Sequence, residues 1–443
     1  MSEHRTSTLD SGVRVVTERM DNVRSVALGF WIGTGSAMES DEQAGLSHLL
    51  EHMLFRGTES YRSAEIDQIF DAMGAEINAG TDRESTSLFT RVLDGHLPHA
   101  LSVMGEMIWK PRFEDLAAER EVVLEEIAMY EDDPQDRVFD ALGEAVFGKH
   151  PLGRAVIGRA EVVGAVEVDG LRDFHRERYL PTQIVVAAAG SVDHDELVDL
   201  VGGASALSTS NGLETGASDL EGASRQDGSA RALADRVGGE VHFERRVRFL
   251  RKDTEQYHVC LGGLGISRHD DRRFALRVLE GVLGGTSSSR LFQEVREKRG
   301  LAYSIFSFAS LHAHTGEVGL YVGTRPDNLR EAIATIATEL ERFVAEPVSE
   351  QELTRSRENV KGRVALSLES TAAHMNRLGS SLLGELPILS IDEIVARIDA
   401  VNADDLHKLA CELFAGQRLS VAGVGAEEDL FREALVPLET AVS

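Results

Sequence analysis

Apolar and polar positions alternate between residues 11 and 34, where Val13-Arg-Val-Val16 and Ser25-Val-Ala-Leu-Gly-Phe-Trp-Ile32 are rich in β-branched and aromatic side chains. The pattern predicts two strands around a turn at Asp21-Asn22, and a helix carrying His48 to His52 follows. Ser63 opens a capped helix through Asp67 and Phe70 to Met73, closed by Gly74; Ala75-Glu-Ile-Asn78-Ala79 and Thr86 to Val92 then read as a strand pair. Helical spacing dominates to about residue 178, before the apolar strand Ile184–Ala189 and an acidic helix near 193–201.

Residues 203–240 are rich in Gly, Ser, Ala and Asp and poor in large apolar side chains, the composition of a flexible linker, with a hinge as the functional alternative. Beyond it the earlier pattern returns. Arg248 to Arg251 and Gln256 to Gly262 predict a strand pair, Phe274 to Leu283 a helix, 302–310 and 315–323 further strands, and Asp327 another helix. Laying His48-Leu-Leu-Glu51-His52 beside Arg277-Val-Leu-Glu280-Gly281 puts the two helices in register. The chain therefore reads as two similar α+β domains, 1–202 and 241–443, the second a duplicate lacking both histidines.

A length of 443 residues exceeds one ordinary core and agrees with two domains. The net charge of −28 disfavours nucleic acid as a partner, because phosphates are repelled over most of such a surface; basic peptides are attracted. Acidic residues are widespread and lysine is scarce beside arginine, a composition that suits plain solvation in a salt-adapted or high-GC organism as well as it suits an acidic substrate chamber. No apolar run is long enough for a bilayer, and Met1-Ser-Glu-His-Arg lacks a secretory start, so no membrane is expected and a cytoplasmic location is. Cys260 and Cys411 have no metal-ligand spacing and read as buried free thiols. His312 and His314 alternate along a strand and are expected in solvent, whereas Trp31 and Trp109 are expected in cores.

The chemistry gathers at His48-Leu-Leu-Glu51-His52. Positions i and i+4 of a helix share a face, so both imidazoles can reach one ion, with a carboxylate beside them. The order is that of the inverted zinc-protease motif, although five residues alone equally suit a helix whose histidines hydrogen-bond in a core. A zinc site needs a third protein ligand. Glu119 and Glu126, seven residues apart on an Asp115–Asp133 segment of helical spacing, almost align and could face one neighbour, or form a solvated face.

His48-Leu-Leu-Glu51-His52-Met-Leu-Phe-Arg-Gly57-Thr58, followed by Glu119 to Glu126, resembles the pitrilysin (M16) family of zinc peptidases, in its shorter, mitochondrial-processing-peptidase-like branch (M16B). His150-Pro-Leu-Gly-Arg154, Tyr179-Leu-Pro181 and Leu283 through Arg290 and Arg296 to Tyr303 extend the resemblance over nearly the whole chain. It implies domains that are each a mostly antiparallel sheet with packed helices. It also implies one zinc ion per chain on His48, His52 and Glu126, Glu51 as catalytic base and Glu119 as the carboxylate behind a ligand. Arg296 and Tyr303 would act on the substrate and its oxyanion, and Asn78-Ala79 would lie on an edge strand that receives the peptide.

The expected activity is that of a metalloendopeptidase hydrolysing short or unfolded peptides in an enclosed chamber. The expected assembly is a homodimer, or a heterodimer with a related subunit, since long members hold four such domains. Relatives that serve as non-catalytic assembly or peptide-binding subunits supply the alternative, although they usually lose motif residues that are intact in this chain.

Overall fold

A computed structural model describes residues 4–210, 239–415 and 418–440. In chain order the first run is β1 (His4–Thr8), β2 (Arg14–Arg19), β3 (Ser25–Ile32), α1 (Leu46–Met53), α2 (Ser63–Ala72), β4 (Ile77–Thr81), β5 (Thr86–Leu93), α3 (Leu97–Trp109), α4 (Leu116–Asp132), α5 (Pro134–Phe147), α6 (Ala160–Ala165), α7 (Val168–Arg178), β6 (Ile184–Gly190) and α8 (His194–Ser210). The second run is β7 (Val247–Arg251), β8 (Tyr257–Gly265), α9 (Arg273–Leu283), β9 (Ala302–Leu311), β10 (Gly316–Thr324), α10 (Pro326–Ala345), α11 (Glu350–Ser367), α12 (Thr371–Leu383), α13 (Ile391–Asp399), α14 (Ala403–Phe414), β11 (Ser420–Gly425), α15 (Glu428–Ala434) and α16 (Val436–Thr440). No helix among the described residues is long and apolar enough to cross a membrane.

Two compact units result, each an α+β assembly around its own sheet. The first sheet runs β1-β2-β6-β3-β5-β4 and the second β7-β11-β8-β10-β9. Leaving out β1, both take their five strands in the order first, fifth, second, fourth, third, with the first and fifth parallel and every other pair antiparallel. The repeat of topology matches the duplication in the sequence. It also corrects the strand pairs expected at 11–34 and 248–262, because β6 inserts between β2 and β3, and β11 between β7 and β8. A strand that is apolar on both faces belongs in the middle of a sheet, and every residue of Ile184–Gly190 is buried.

Each unit borrows a helix from the other half of the chain. Among the described residues the first comprises 4–127, 155–210 and 367–388, and the second 128–154, 239–366, 389–415 and 418–440. In the first, β3 and the helices that include α1, α3 and α4 bury Leu28, Phe30, Leu49, Leu50 and Trp109 on one face of the sheet. The other face, with Val16, Ala27, Trp31, Val185 and Ala187, is covered by Met375 and Leu378 of α12. A Cβ on Gly379 would lie 2.4 Å from the Trp31 indole, so only glycine lets the helix come this close. His374 and Arg377 of α12 both reach the buried carboxylate of Glu18 on β2. In the second unit α5 takes the matching place on β8 and β11.

Further details depart from the alternation pattern. His312 is only 7% exposed, because it leaves the strand at the β9–β10 turn, where its N–H donates to Thr315 O at 2.9 Å. His314 is exposed as expected. Cys260 is buried and Cys411 half-buried, both free thiols. The helix expected near 193–201 continues to Ser210, into the segment read as linker; 211–238 lie outside the described residues.

Candidate metal centre

α1 carries the site on only eight residues, too few to be a stable helix alone. Its apolar side, Leu46, Leu49, Leu50 and Met53, is buried in the core, each such side chain contributing roughly 1.5–3 kcal/mol. Its other side holds the half-buried His48, Glu51 and His52. The chain enters the helix through Gly45 at φ 105°, where a Cβ would meet Val163 Cγ2 at 2.9 Å and Ile157 O at 3.0 Å. The carboxylate of Glu39, 4% exposed, accepts the N–H groups of Gly45 at 2.9 Å and Ser47 at 2.6 Å, and so satisfies donors that a helix start leaves open.

Glu126 of α4 meets the two histidines. Its Oε2 lies 3.3 Å from His52 Nε2 and 3.7 Å from His48 Nε2, and the two imidazole centroids are 4.7 Å apart. Ligand atoms about 2 Å from a tetrahedral ion stand about 3.3 Å from one another, so this spacing fits zinc. His48, His52 and Glu126 form the one group of three or more His, Cys, Asp or Glu side chains among the described residues whose donor atoms converge this way. Burial, reinforced by His52, pushes His48 down to about 4, so at neutral pH its ring is uncharged. Its contact with Glu126 is then no ion pair, and its nitrogen lone pair is available to a cation.

A second carboxylate of α4 lies against His52. Glu119, 3% exposed, turns Oε1 to His52 Nδ1 at 2.8 Å and Oε2 to the guanidinium of Arg56. It thereby fixes which face and tautomer His52 presents. Glu51 accepts the Thr81 hydroxyl on Oε2 at 2.6 Å. Burial raises its pKa, opposed chiefly by the Thr81 hydrogen bond and by His52. Tyr179 is fully buried nearby, its phenol pushed up by burial and by the charge of Glu51.

Asn78 and Ala79 lie on β4, the free edge of the first sheet, with Asn78 exposed. Asn78 Oδ1 accepts the N–H of Ala79 at 2.8 Å. In the second unit Arg296 sits in a stretch of wide helical turns, Phe292–Glu297, and donates to the backbone carbonyl of Tyr303 at 2.6 Å. Its guanidinium stacks 4.6 Å from the Tyr303 ring, which is 78% exposed. Gly300, at φ 61°, ends those turns just before β9. The two side chains border a pocket of about 390 Å³.

Sequence reasoning did not single out Glu39, Arg56 or Thr81. Arg56 follows His52 by four positions, a spacing that could have flagged it; Glu39 and Thr81 are lone polar residues without a periodic signal. The counterpart of the centre on α9 is closed. Ser356 of α11 donates to Val278 O at 2.7 Å, and its Oγ would lie 2.4 Å from a Cβ on Gly281, filling the place of the second histidine. Glu280 is pushed up by burial, opposed by Arg277 and by Arg363, which is seven residues beyond Ser356 as Glu126 is beyond Glu119. Two guanidinium groups thus act on the carboxylate that aligns with Glu51.

Comparison with known proteins agrees with the fold. Residues 14–160 match the model described as insulinase (peptidase family M16), and 165–360 the one described as peptidase M16 inactive domain. An uncharacterized zinc protease of Streptomyces coelicolor is 41% identical over 96% of this chain and 90% of its own length. The uncharacterized zinc protease YmxG of Bacillus subtilis is 39% identical over 92% of this chain and 95% of its own. Among solved structures, a peptidase M16 inactive domain from Pseudomonas fluorescens superposes with a TM-score of 0.83 at 20% identity, covering 96% of this chain and 98% of that one. A protease from Helicobacter pylori gives 0.82 at 20%, covering 96% and 99%. The chain belongs to peptidase family M16.

Proposed function

We propose that the chain is a zinc-dependent endopeptidase acting on short or unfolded peptides, with one zinc ion per chain on His48, His52 and Glu126. The observation that carries the reading is the convergence of two imidazole nitrogens and a carboxylate oxygen beside the half-buried Glu51. The relatives' names as zinc proteases support it. Zinc, when bound, supplies Lewis acidity that activates water and polarises a peptide carbonyl. Glu51 takes the proton of the attacking water and returns it to the leaving amine. Glu119 keeps His52 oriented, with its own charge balanced by Arg56. β4 presents backbone donors and acceptors to which an extended peptide adds as a further strand, along Asn78 and Ala79. The acidic surface favours basic peptides.

Arg296 and Tyr303 carry donors suited to a developing oxyanion and to the substrate backbone. We assign them to the active site of a second copy, in a homodimer enclosing the substrate, as the shorter, processing-peptidase-like branch would require. Incubating the zinc-loaded protein with an unstructured basic peptide tests the reading, with chelator and with Glu51→Gln as controls. Chelator-sensitive cleavage lost in a zinc-retaining Glu51→Gln variant is expected. Zinc and peptide binding without turnover would instead identify a non-catalytic peptide-binding subunit. Full activity in a species that sedimentation shows to be monomeric would remove the shared site.

A further inference from the structure

The strand that offers a free edge and the carboxylate assigned as base are joined at a single residue, through its hydroxyl and its backbone N–H. Thr81, the last residue of β4, gives its hydroxyl to Glu51 Oε2 at 2.6 Å. Across the strand pair it faces Thr86, whose Oγ1 is 3.3 Å from that of Thr81. Thr86 donates in turn to the carbonyl of Thr34 at 3.0 Å, and both of these residues are buried, at 0% and 1% exposure. A hydroxyl has one hydrogen to give. With that of Thr86 committed to Thr34, the hydrogen of Thr81 has the carboxylate as its partner. The chain Thr34, Thr86, Thr81, Glu51 therefore sets the direction in which the carboxylate is held.

The same strand sets what an incoming peptide touches. The N–H of Ala79 is taken by Asn78 Oδ1, so the backbone of Ala79 faces the free side of β4 rather than β5. Antiparallel pairing alternates with period two, which places the backbone of Thr81 on that same free side. A peptide strand paired at Ala79 thus reaches, two residues on, the residue whose hydroxyl holds Glu51.

We infer that Thr81 is a positioning residue that couples docking of a peptide on β4 to the aim of Glu51. The inference rests on the peptidase reading above and adds a role that none of the metal ligands or Glu51 supplies. Misdirecting a reacting group by about an ångström costs on the order of a hundredfold in rate while leaving ground-state binding alone.

The test compares zinc-loaded wild type, Thr81→Val, which keeps shape without the hydroxyl, and Thr81→Ser, which keeps the hydroxyl. In Thr81→Val, kcat falls on the order of ten- to hundredfold, with KM, zinc affinity and thermal midpoint little changed, and Thr81→Ser recovers most of the loss. Affinity for a phosphinic peptide, which mimics the tetrahedral state, falls with kcat, whereas affinity for the uncleaved peptide, measured in the Glu51→Gln background, does not. Equal kcat in Thr81→Val and wild type, or failure of Thr81→Ser to recover it, overturns the coupling while leaving the peptidase reading intact. A wild type without chelator-sensitive cleavage overturns both.

Discussion

Replacing Glu119 with glutamine takes one negative charge from a side chain that is 4% exposed and lies between His52 Nδ1, 2.8 Å away, and the guanidinium of Arg56. The amide oxygen still accepts from Nδ1, so the ring keeps its orientation. What disappears is the charge that makes His52 a stronger donor to a cation. Loss of such a partner costs about ten- to hundredfold in metal affinity, or about 1.4–2.7 kcal/mol. The cost to folding is smaller than the roughly 3–5 kcal/mol of breaking a sealed ion pair, because the Arg56 side chain is 38% exposed and turns to water. About 1–2 kcal/mol is expected.

Competition against a fluorescent chelator gives the zinc constant, and urea unfolding of the metal-free protein gives the stability term. A folded Glu119→Gln variant that binds zinc within twofold of wild type refutes the assignment of Glu119 to His52. A cycle with Arg56→Met completes the case. Since the two side chains touch, the double variant should lose less than the sum of the single losses; additivity within about 0.5 kcal/mol would show that their charges are not coupled.

Gly379→Ala forces α12 away from the Trp31 indole and should cost about 1–3 kcal/mol, read as a lower urea midpoint with the ligands of the centre untouched. Glu39→Ala removes the acceptor of the Gly45 and Ser47 N–H groups; a loss of about 1–3 kcal/mol is expected, and Glu39→Gln, which keeps an acceptor, should recover part of it. Glu352 is held down at about 2, chiefly by its hydrogen bond from Arg290. A depressed carboxylate contributes stability above its ordinary value of 4.5 that is lost as pH falls through 2. The gap in thermal midpoint between wild type and Arg290→Met should therefore be widest above pH 4.5 and close as the pH approaches 2; a gap constant with pH contradicts the pairing.

The sequence disclosed those features that repeat or that obey a fixed spacing. Strand alternation in β5 and the amphipathic α9 each matched a period, β6 read as a continuous apolar run, and His48, His52, Glu119 and Glu126 were readable because helical intervals of four and seven residues put side chains on one face. The exchange of α5 and α12 was not readable. An apolar stripe on a helix states that it must be buried but not against which sheet, and two homologous sheets offer similar faces. Glu39 and Thr81 act through single hydrogen bonds across loops or strands, where no periodicity points to them. His312 was misplaced by extending strand alternation one residue into a turn.

The borrowed helix sets an order of events for the ribosome. β6 ends at Gly190 and α12 begins at Thr371, 181 residues later (371 − 190 = 181). At about 5–20 residues per second, that interval lasts roughly ten to forty seconds, during which the Trp31 face of the first sheet has no native cover. A nascent chain of this design passes through a stage with His48, His52 and Glu126 already synthesised and one side of its sheet bare, a natural point for chaperone capture. Cutting the gene between the two duplicated halves would make that stage permanent.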